Sequence, residues 1–244
     1  MKKRLMCVVA HPDDECFGFG GALALAAQQQ VETYVVCLTD GQAATNRGSA
    51  TTSEELGQIR RAEFAASCNI LGVSQHELLD YQDGKLEFAS FSEIAAKLVE
   101  RIRAWQPQVV VTFGLDGGLN THADHTMVAC CTSAGFHWSG HQKRYPETLP
   151  AYAPQKLYHH STDFVLPDRG PLLPSPWSLR LDIRPVQQIK LKAFQQHTSQ
   201  IAIFDHIQPF WEKHGGEEYY VLAGAPAPSK VGIEQGMFDG VDFS

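Results

Sequence analysis

The sequence is poor in long apolar runs. Nowhere in its 244 residues do apolar side chains continue for about 18 positions, the length that a membrane-spanning helix needs. The apolar run behind the first lysines is only about six residues long and ends in carboxylates, which is too short for a secretory signal peptide. We therefore expect a cytoplasmic protein without a transmembrane segment.

Positive charge is also scarce. The formal net charge is −7, and no basic run is longer than the Lys-Lys-Arg near the start. A surface that binds nucleic acid needs clustered Lys and Arg, so this composition argues against such a partner. The hydrophobic share of 43% and the charged share of 19% are ordinary for a globular protein. The formation of a homo-oligomer stays open.

The cysteines lack the CxxC spacing of redox and metal motifs. Most of them lie in apolar runs, where a free cysteine behaves as a small hydrophobic residue. We expect reduced thiols in the core of a cytoplasmic protein. Cys16 differs from the other cysteines because it adjoins an acidic cluster. The six cysteines are Cys7, Cys16, Cys37, Cys68, Cys130 and Cys131.

Strands and helices alternate through the first 135 residues. Apolar runs predict strands at about 4–10, 33–38, 76–80 and 108–113. Helical periodicity predicts helices at about 16–29, 53–71, 91–105 and 122–135. This alternation favours right-handed βαβ units. It therefore predicts an α/β fold with a Rossmann-like, mostly parallel sheet and helices on both faces.

The second half of the chain is less regular. It is rich in prolines and aromatic residues, with strands expected near 156–160 and 177–183 and a helix over 185–204. No clean linker divides the chain. We predict a single domain over 1–244, in which 1–135 is the Rossmann-like core and 136–244 is a variable C-terminal part.

Two polar segments follow predicted strands. The first reads HPDDE (11–15) and the second reads DGGLNTHADH (116–125). In the common strand order 3-2-1-4, strands one and four are neighbours, and ligands bind outside the carboxyl ends of the strands. We therefore expect these two loops to face each other.

The residue types in these loops suit a hydrolytic metal site. A catalytic zinc usually takes three His or carboxylate ligands and leaves one position for water. His11, Asp14 and His125 could supply those ligands. Asp13, beside a ligand, could act as general base to a metal-bound water and then as acid to the leaving group.

Further residues of the second segment have two interpretations. His122 could stabilise a developing oxyanion, and Asp124 could orient a ligating histidine. Helix capping is the alternative for both segments, since acidic side chains favour a helix N-terminus and histidines in a first turn are unremarkable. The joint occurrence of the two segments favours the metal site.

A nucleotide-binding module without catalytic activity is a further alternative. The turn after strand one would then carry GxGxxG, but it reads HPDDE, and carboxylates make a poor phosphate cradle.

These residues resemble a known family. AHPDDE (10–15), GG (20–21) and HADH (122–125) resemble the LmbE-like deacetylases, also called the PIG-L family. IRRAEFAASCNILGV, LDYQDGKL and KLKAFQQHTSQ (190–200) are similar to other motifs of that family. The match runs through most of the chain and is weakest over 136–176.

The resemblance implies an LmbE-like fold and a zinc-dependent hydrolase that removes the acetyl group from an N-acetylglucosamine derivative, with one Zn²⁺ per chain. Iron(II) and cobalt also suit two histidines and a carboxylate. The expected partner is a small N-acetyl amino sugar, a soluble sugar or thiol-precursor conjugate. The alternative is a related zinc amidase that cleaves a thiol–sugar conjugate.

The family pattern also implies site residues. It gives His11, Asp14 and His125 as metal ligands, Asp13 as general base and His122 as oxyanion stabiliser.

The family's substrate-binding arginine and aspartate map onto Arg60 and Asp83, with Arg61, the next residue, as a competitor for the arginine. A salt bridge from Arg60 to Glu63 and a simple turn at Asp83-Gly84 are the alternatives. His197 and Gln200 match a family motif without an assigned role. The polar loop 39–55 is the expected site of substrate specificity. Leu119 and Asn120-Thr121 depart from the family's aromatic residue and glycine, which bears on substrate selection.

Overall fold

The computed structural model describes residues 2–118, 121–164, 174–225 and 232–243. Leu119 and Asn120, where the sequence departs from the family pattern, lie outside the described residues. The strands are β1 (Arg4–Val9), β2 (Glu32–Thr39), β3 (Gln75–Tyr81), β4 (Val109–Thr112), β5 (Lys156–Ser161), β6 (Leu179–Asp182) and β7 (Glu217–Gly224). The helices are α1 (Asp14–Phe17), α2 (Gly20–Gln28), α3 (Ser53–Leu71), α4 (Phe91–Trp105), α5 (Ala123–Ser139), α6 (Gln187–Phe194) and α7 (Ile201–His214).

The strands form one mostly parallel sheet in the order β3-β2-β1-β4-β5-β7-β6. The first five strands of this order run parallel, whereas β7 pairs antiparallel with both β5 and β6. The predicted α/β class and the predicted order 3-2-1-4 are therefore confirmed. Strands from both halves of the chain share the sheet, while the prediction of a single domain stays a prediction.

The central strands are covered on both faces. Val109, Val110 and Val111 of β4 are fully buried, as expected for a parallel strand that reads as a continuous apolar run. One helical layer contains α4 packed on α5, and another contains α2, α3 and α6. All of this places the core on either side of β1 and β4.

The long helices begin where the sequence supplies caps. The Thr52 side chain accepts a hydrogen bond from the Glu55 amide, and the Glu55 carboxylate accepts one from the Thr52 amide, which forms a capping box at the start of α3. Ser90 caps α4 by accepting from the Glu93 amide.

Two predicted helices are wrong in their extent. The helix expected over 16–29 is divided into α1 and α2, because both carboxylate oxygens of Glu218 on β7 accept hydrogen bonds from the amides of Gly21 and Ala22 and so cap a new N-terminus. The helix expected over 185–204 stops at Phe194, and a 3₁₀ turn over Thr198–Gln200 precedes α7.

A buried ion pair joins the C-terminal part to α2. Lys190 Nζ lies 2.7 Å from Glu218 Oε1, and the Tyr220 hydroxyl donates to Glu218 Oε2 at 2.8 Å. Each polar atom of Glu218 thus has partners, which is the condition under which a buried carboxylate is tolerated. The pair fixes α6 and β7 against the beginning of α2.

All six cysteines are free thiols, and five of them are buried, which agrees with the expected reduced core. None of the helices in the described ranges has the length and apolar character required to cross a bilayer.

Gly21 is required at the start of α2, so Gly21→Ala should lower the free energy of unfolding by about 2 kcal/mol. A Cβ there would overlap Ile183 Cγ2 and lie 2.7 Å from Glu218 Oε1. Alanine is otherwise the better helix former, so any loss would come from this overlap. The measurement is urea denaturation followed by circular dichroism.

Gly232→Ala is the matched control, because a Cβ at Gly232 meets nothing within 4 Å. Equal stability of the two variants would show that α2 does not depend on close contact with Glu218 and Ile183.

Candidate metal centre

The two polar segments meet at the carboxyl ends of β1 and β4. These strands pair in parallel, with Leu5 opposite Val109 and Cys7 opposite Val111, so they end at the same edge of the sheet. HPDD follows β1 into α1, and HADH forms the start of α5. The expected juxtaposition of these segments is what the structure shows.

Three side chains with donor atoms converge between the segments. His11 Nδ1 lies 3.4 Å from Asp14 Oδ2, and His125 Nε2 lies 3.2 Å from Asp14 Oδ1. The two imidazole nitrogens are 3.3 Å apart. Tetrahedral ligands at about 2.1 Å from a shared zinc ion would lie about 3.4 Å from one another. The spacing of His11, Asp14 and His125 therefore fits a metal ion.

The other ring nitrogen of each histidine faces an oxygen. His11 Nε2 lies 3.0 Å from Asp83 Oδ1 and 3.2 Å from Asp124 Oδ2, and His125 Nδ1 lies 2.8 Å from the Gly117 carbonyl oxygen. Carbonyl and carboxylate oxygens only accept, so these outer nitrogens carry protons. In the neutral rings the inner nitrogens then present lone pairs towards Asp14. Two imidazole nitrogens and a carboxylate that face one another in this way suit a bound cation.

The pKa shifts of His11 and Asp14 agree with a site that binds a cation. Burial lowers the pKa of His11, but hydrogen bonds to Asp124, Asp14 and Asp83 outweigh it and hold the pKa well above its usual value. Burial raises the pKa of Asp14, but the charge of His125 and hydrogen bonds from both histidines bring it well below its usual range. The pocket thus strongly attracts positive charge.

Asp13 is held in an unusual backbone conformation beside the centre. Its φ of 108° lies in a region that residues other than glycine rarely adopt. The Asp13 amide donates to Glu15 Oε2 at 2.9 Å, and Asp13 Oδ2 accepts from Arg60 Nη2 at 3.0 Å. Burial raises the pKa of Asp13 to about 6, against the opposing charge of Arg60. Strain of this kind concentrates at functional sites.

Arg60 and Asp83, the expected sugar contacts, touch other residues of the site. Arg60 is 3% exposed, and its guanidinium donates to Asp13, to the Pro12 carbonyl and to the Gly41 carbonyl. The alternative salt bridge from Arg60 to Glu63 is wrong, because Glu63 accepts hydrogen bonds from Thr198 and Ser199. Asp83 contacts His11 and the Ala43 amide.

His122 lies at the edge of the centre. Its Nδ1 accepts a hydrogen bond from the Asp124 amide at 3.2 Å, so it caps α5, and its ring centroid is 4.8 Å from that of His11. Burial, with the neighbouring His11 and His125, lowers the pKa of His122. His122 therefore caps the helix and also lies next to the centre. Asp124 contacts His11 and also accepts hydrogen bonds from the Gly84 and Leu86 amides.

A second polar cluster lies behind Asp13. Glu15 is fully buried and accepts from Ser67, while its Oε1 lies 2.8 Å from His197 Nε2. Burial lowers the pKa of His197, but Glu15 outweighs it and raises that pKa. Donor atoms of Glu15, Cys16 and His197 lie within 4.8 Å of one another, so this cluster is an alternative metal-binding group. The Cys16 thiol, however, donates to the Asp13 carbonyl, and burial keeps its pKa well above the usual value, so it is a poor ligand.

A cavity of about 500 Å³ opens beside the centre. Asp13, Asp14 and His125 line it, and so does Asn46 from the polar loop 39–55. His160 also lines it, and burial lowers its pKa to about 4, so that it is neutral.

Sequence reasoning missed the contributions of the C-terminal part. His160, Lys190 and Glu218 all line the cavity. Lys190 and His197 lie within the motif KLKAFQQHTSQ, so this motif is the sequence signal for their role. Gln200 of the same motif donates a hydrogen bond to the Asn46 carbonyl. His160 and Glu218 carry no local pattern that marks them.

The chain is similar in sequence to known deacetylases and amidases. The family model PIG-L, described as GlcNAc-PI de-N-acetylase, matches residues 6–135. A mycothiol S-conjugate amidase of Streptomyces coelicolor is 32% identical over 64% of this chain, but the alignment spans only 60% of the amidase. A 1D-myo-inositol 2-acetamido-2-deoxy-alpha-D-glucopyranoside deacetylase of Actinosynnema mirum is 29% identical over 98% of this chain and 97% of its own length.

The fold has similar solved structures. The N,N'-diacetylchitobiose deacetylase of Pyrococcus horikoshii superposes with a TM-score of 0.75 and 25% identity, covering 91% of this chain and 84% of its own.

Removal of one donor should abolish stable metal binding. We expect the unaltered protein, loaded with zinc and dialysed, to retain about one ion per chain, and His125→Ala to retain far less, because two ligands hold an ion weakly. Plasma mass spectrometry measures the ratio of metal to protein. His137→Ala, at an exposed position of the same helix, is the control. Full retention by His125→Ala would contradict this ligand set.

The buried pair behind Asp13 should contribute strongly to stability. His197→Ala leaves the Glu15 carboxylate buried without its imidazole partner, so we expect the free energy of unfolding to fall by about 3 kcal/mol. Chemical denaturation measures it, with Gln195→Ala at an exposed position as the control. A loss no larger than that of the control would show that Glu15 does not rely on His197.

Proposed function

This chain belongs to the PIG-L (LmbE-like) family, and on that premise we propose that it is a metal-dependent hydrolase that removes the acetyl group from an N-acetylglucosamine derivative. The observation that carries the proposal is the convergence of His11 Nδ1, Asp14 and His125 Nε2 next to the carboxylate of Asp13. The deacetylase relatives support the choice of substrate class.

We propose zinc as the ion, held by His11, Asp14 and His125, because two imidazoles and one carboxylate leave a coordination position open. Iron(II) and cobalt suit the same donors. A divalent ion there supplies Lewis-acid polarisation of the amide carbonyl and makes a water molecule more acidic. Every other step falls to side chains of the chain itself.

Asp13 is proposed as the general base. It takes a proton from the attacking water and later delivers one to the amine nitrogen, so that acetate and the free amino sugar leave. Arg60, bonded to Asp13 Oδ2 and to two backbone carbonyls, prevents the carboxylate from turning away. The backbone φ of 108° directs Asp13 differently from Asp14, which explains how adjacent aspartates can take separate roles.

His122 is proposed to donate a hydrogen bond to the acetyl oxygen as that oxygen gains negative charge. Its position beside His11, with Nδ1 anchored on the Asp124 amide, supports this role. Asp124 and Asp83 hold the His11 ring in place. That Arg60 and Asp83 also contact the sugar stays a prediction.

A related amidase that cleaves a thiol–sugar conjugate is the second candidate, since the Streptomyces coelicolor relative is 32% identical. The two reactions use the same chemistry and differ in the acyl group that leaves. Measurement of acetate distinguishes them, because only the deacetylase releases it. Nucleotide binding alone would leave the converging histidines and carboxylates without a role.

Asp13→Asn should lower kcat by about 10³-fold, because the amide keeps the shape and cannot accept a proton. Release of primary amine from N-acetylglucosamine, measured with metal-loaded protein, is the assay. The variant should keep its metal, which separates the base from the ligands. Asp80→Asn, at an exposed position, is the control and should have unchanged activity. Undiminished turnover in Asp13→Asn would contradict the assignment of the base.

A further inference from the structure

The cavity beside the metal centre also has an apolar lining. Ile203, Ile207 and Trp211 of α7 line it, and their spacing of four residues places them on one face of the helix. Phe17 of α1 and Phe194 of α6 complete this wall, with ring centroids 6.1 Å apart. We refer to these five residues as the apolar wall.

The indole of the apolar wall is fixed in position. Lys190 Nζ lies 5.1 Å from the centroid of the Trp211 ring, a cation–π distance, while the same ammonium is bound to Glu218. Lys190 and Glu218 are both buried, so the Trp211 ring lies against an ion pair that is anchored in the core. A preformed apolar surface loses little entropy when a ligand covers it.

The charges near the apolar wall are unfavourable to an anion. Lys190 is the only Lys or Arg among the described residues that line the cavity, and Glu218 neutralises it. Asp163 and Glu217 also line the cavity, and the Tyr219 hydroxyl lies within hydrogen-bond distance of both. Asp163 lies 3.6 Å from His214 Nδ1, and Glu217 lies 3.6 Å from Arg180 Nη1. A negatively charged group placed here would meet basic side chains that are already paired with carboxylates.

The apolar wall and the metal centre border one continuous space. A volume of about 500 Å³ lies in the range of about 300–1,000 Å³ that drug-sized ligands occupy, which is more than an acetyl group needs. A sugar whose amide lies between Asp13 and His125 therefore has room for a substituent that extends towards Trp211.

We propose that the apolar wall is the subsite for the aglycone of the substrate and that it takes an uncharged apolar group, such as an aromatic ring, rather than an anionic one. This inference rests on the proposed function and adds the chemical class of the group attached to the amino sugar. Ring stacking on Trp211 and contact with Ile203 and Ile207 supply the selectivity.

Three substrates test the proposal with metal-loaded protein: N-acetylglucosamine, its phenyl glycoside and its glycoside with malate, a dianion. We expect kcat/KM for the phenyl glycoside to exceed that for N-acetylglucosamine by about tenfold, and the malate glycoside to be no better than the free sugar. Calorimetric titration with the deacetylated phenyl glycoside, a product, should show the same preference over the deacetylated malate glycoside.

Variants of α7 localise the effect. Ile207→Ala should reduce the ratio of kcat/KM for the phenyl glycoside to that for N-acetylglucosamine by about fivefold. Ile207→Lys should move the preference towards the malate glycoside, a gain that loss of folding could not produce. Gln208→Ala, the neighbouring exposed residue, should leave the ratio within about twofold of the unaltered protein.

Equal kcat/KM for the three substrates, or the highest value for the malate glycoside, would overturn the aglycone subsite and leave the proposed function intact. Release of amine from none of the three would instead contradict the proposed function itself.

Discussion

The parallel pairing of β1 with β4 determines where the side chains of the candidate metal centre lie. Both strands are buried on their two faces, and their register places Leu5 opposite Val109 and Cys7 opposite Val111. Packing of the core therefore fixes the register, and the register fixes where HPDD and HADH begin. His11, Asp14 and His125 converge because the strands that precede them cannot move relative to each other.

Hydrogen bonds from neighbouring residues hold the side chains of the site in position. Asp83 and Asp124 hold the outer nitrogen of His11, and the Gly117 carbonyl holds that of His125. Arg60 holds Asp13 from the side of α3. Such contacts leave the inner ring nitrogens of both histidines facing Asp14, where a cation can be held.

Sequence reasoning reached the parts of the molecule that local pattern encodes. Apolar runs and turn residues predicted β1, β4 and the two loops, and the resemblance predicted the family. Local pattern does not encode contacts between distant residues. Glu218, whose carboxylate caps the start of α2, lies 197 residues from Gly21 in the sequence. The choice of Asp13 rather than Glu63 as the partner of Arg60 likewise depends on how loops pack around α3.

The central claim is that the inner atoms of His11, Asp14 and His125 hold the ion. X-ray absorption spectroscopy at the zinc edge of the loaded protein tests it most directly. The account predicts nitrogen and oxygen scatterers at about 2.0–2.2 Å, including imidazole, and no sulfur. A sulfur scatterer at about 2.3 Å would place the ion on Cys16, with Glu15 and His197, and would contradict the assignment.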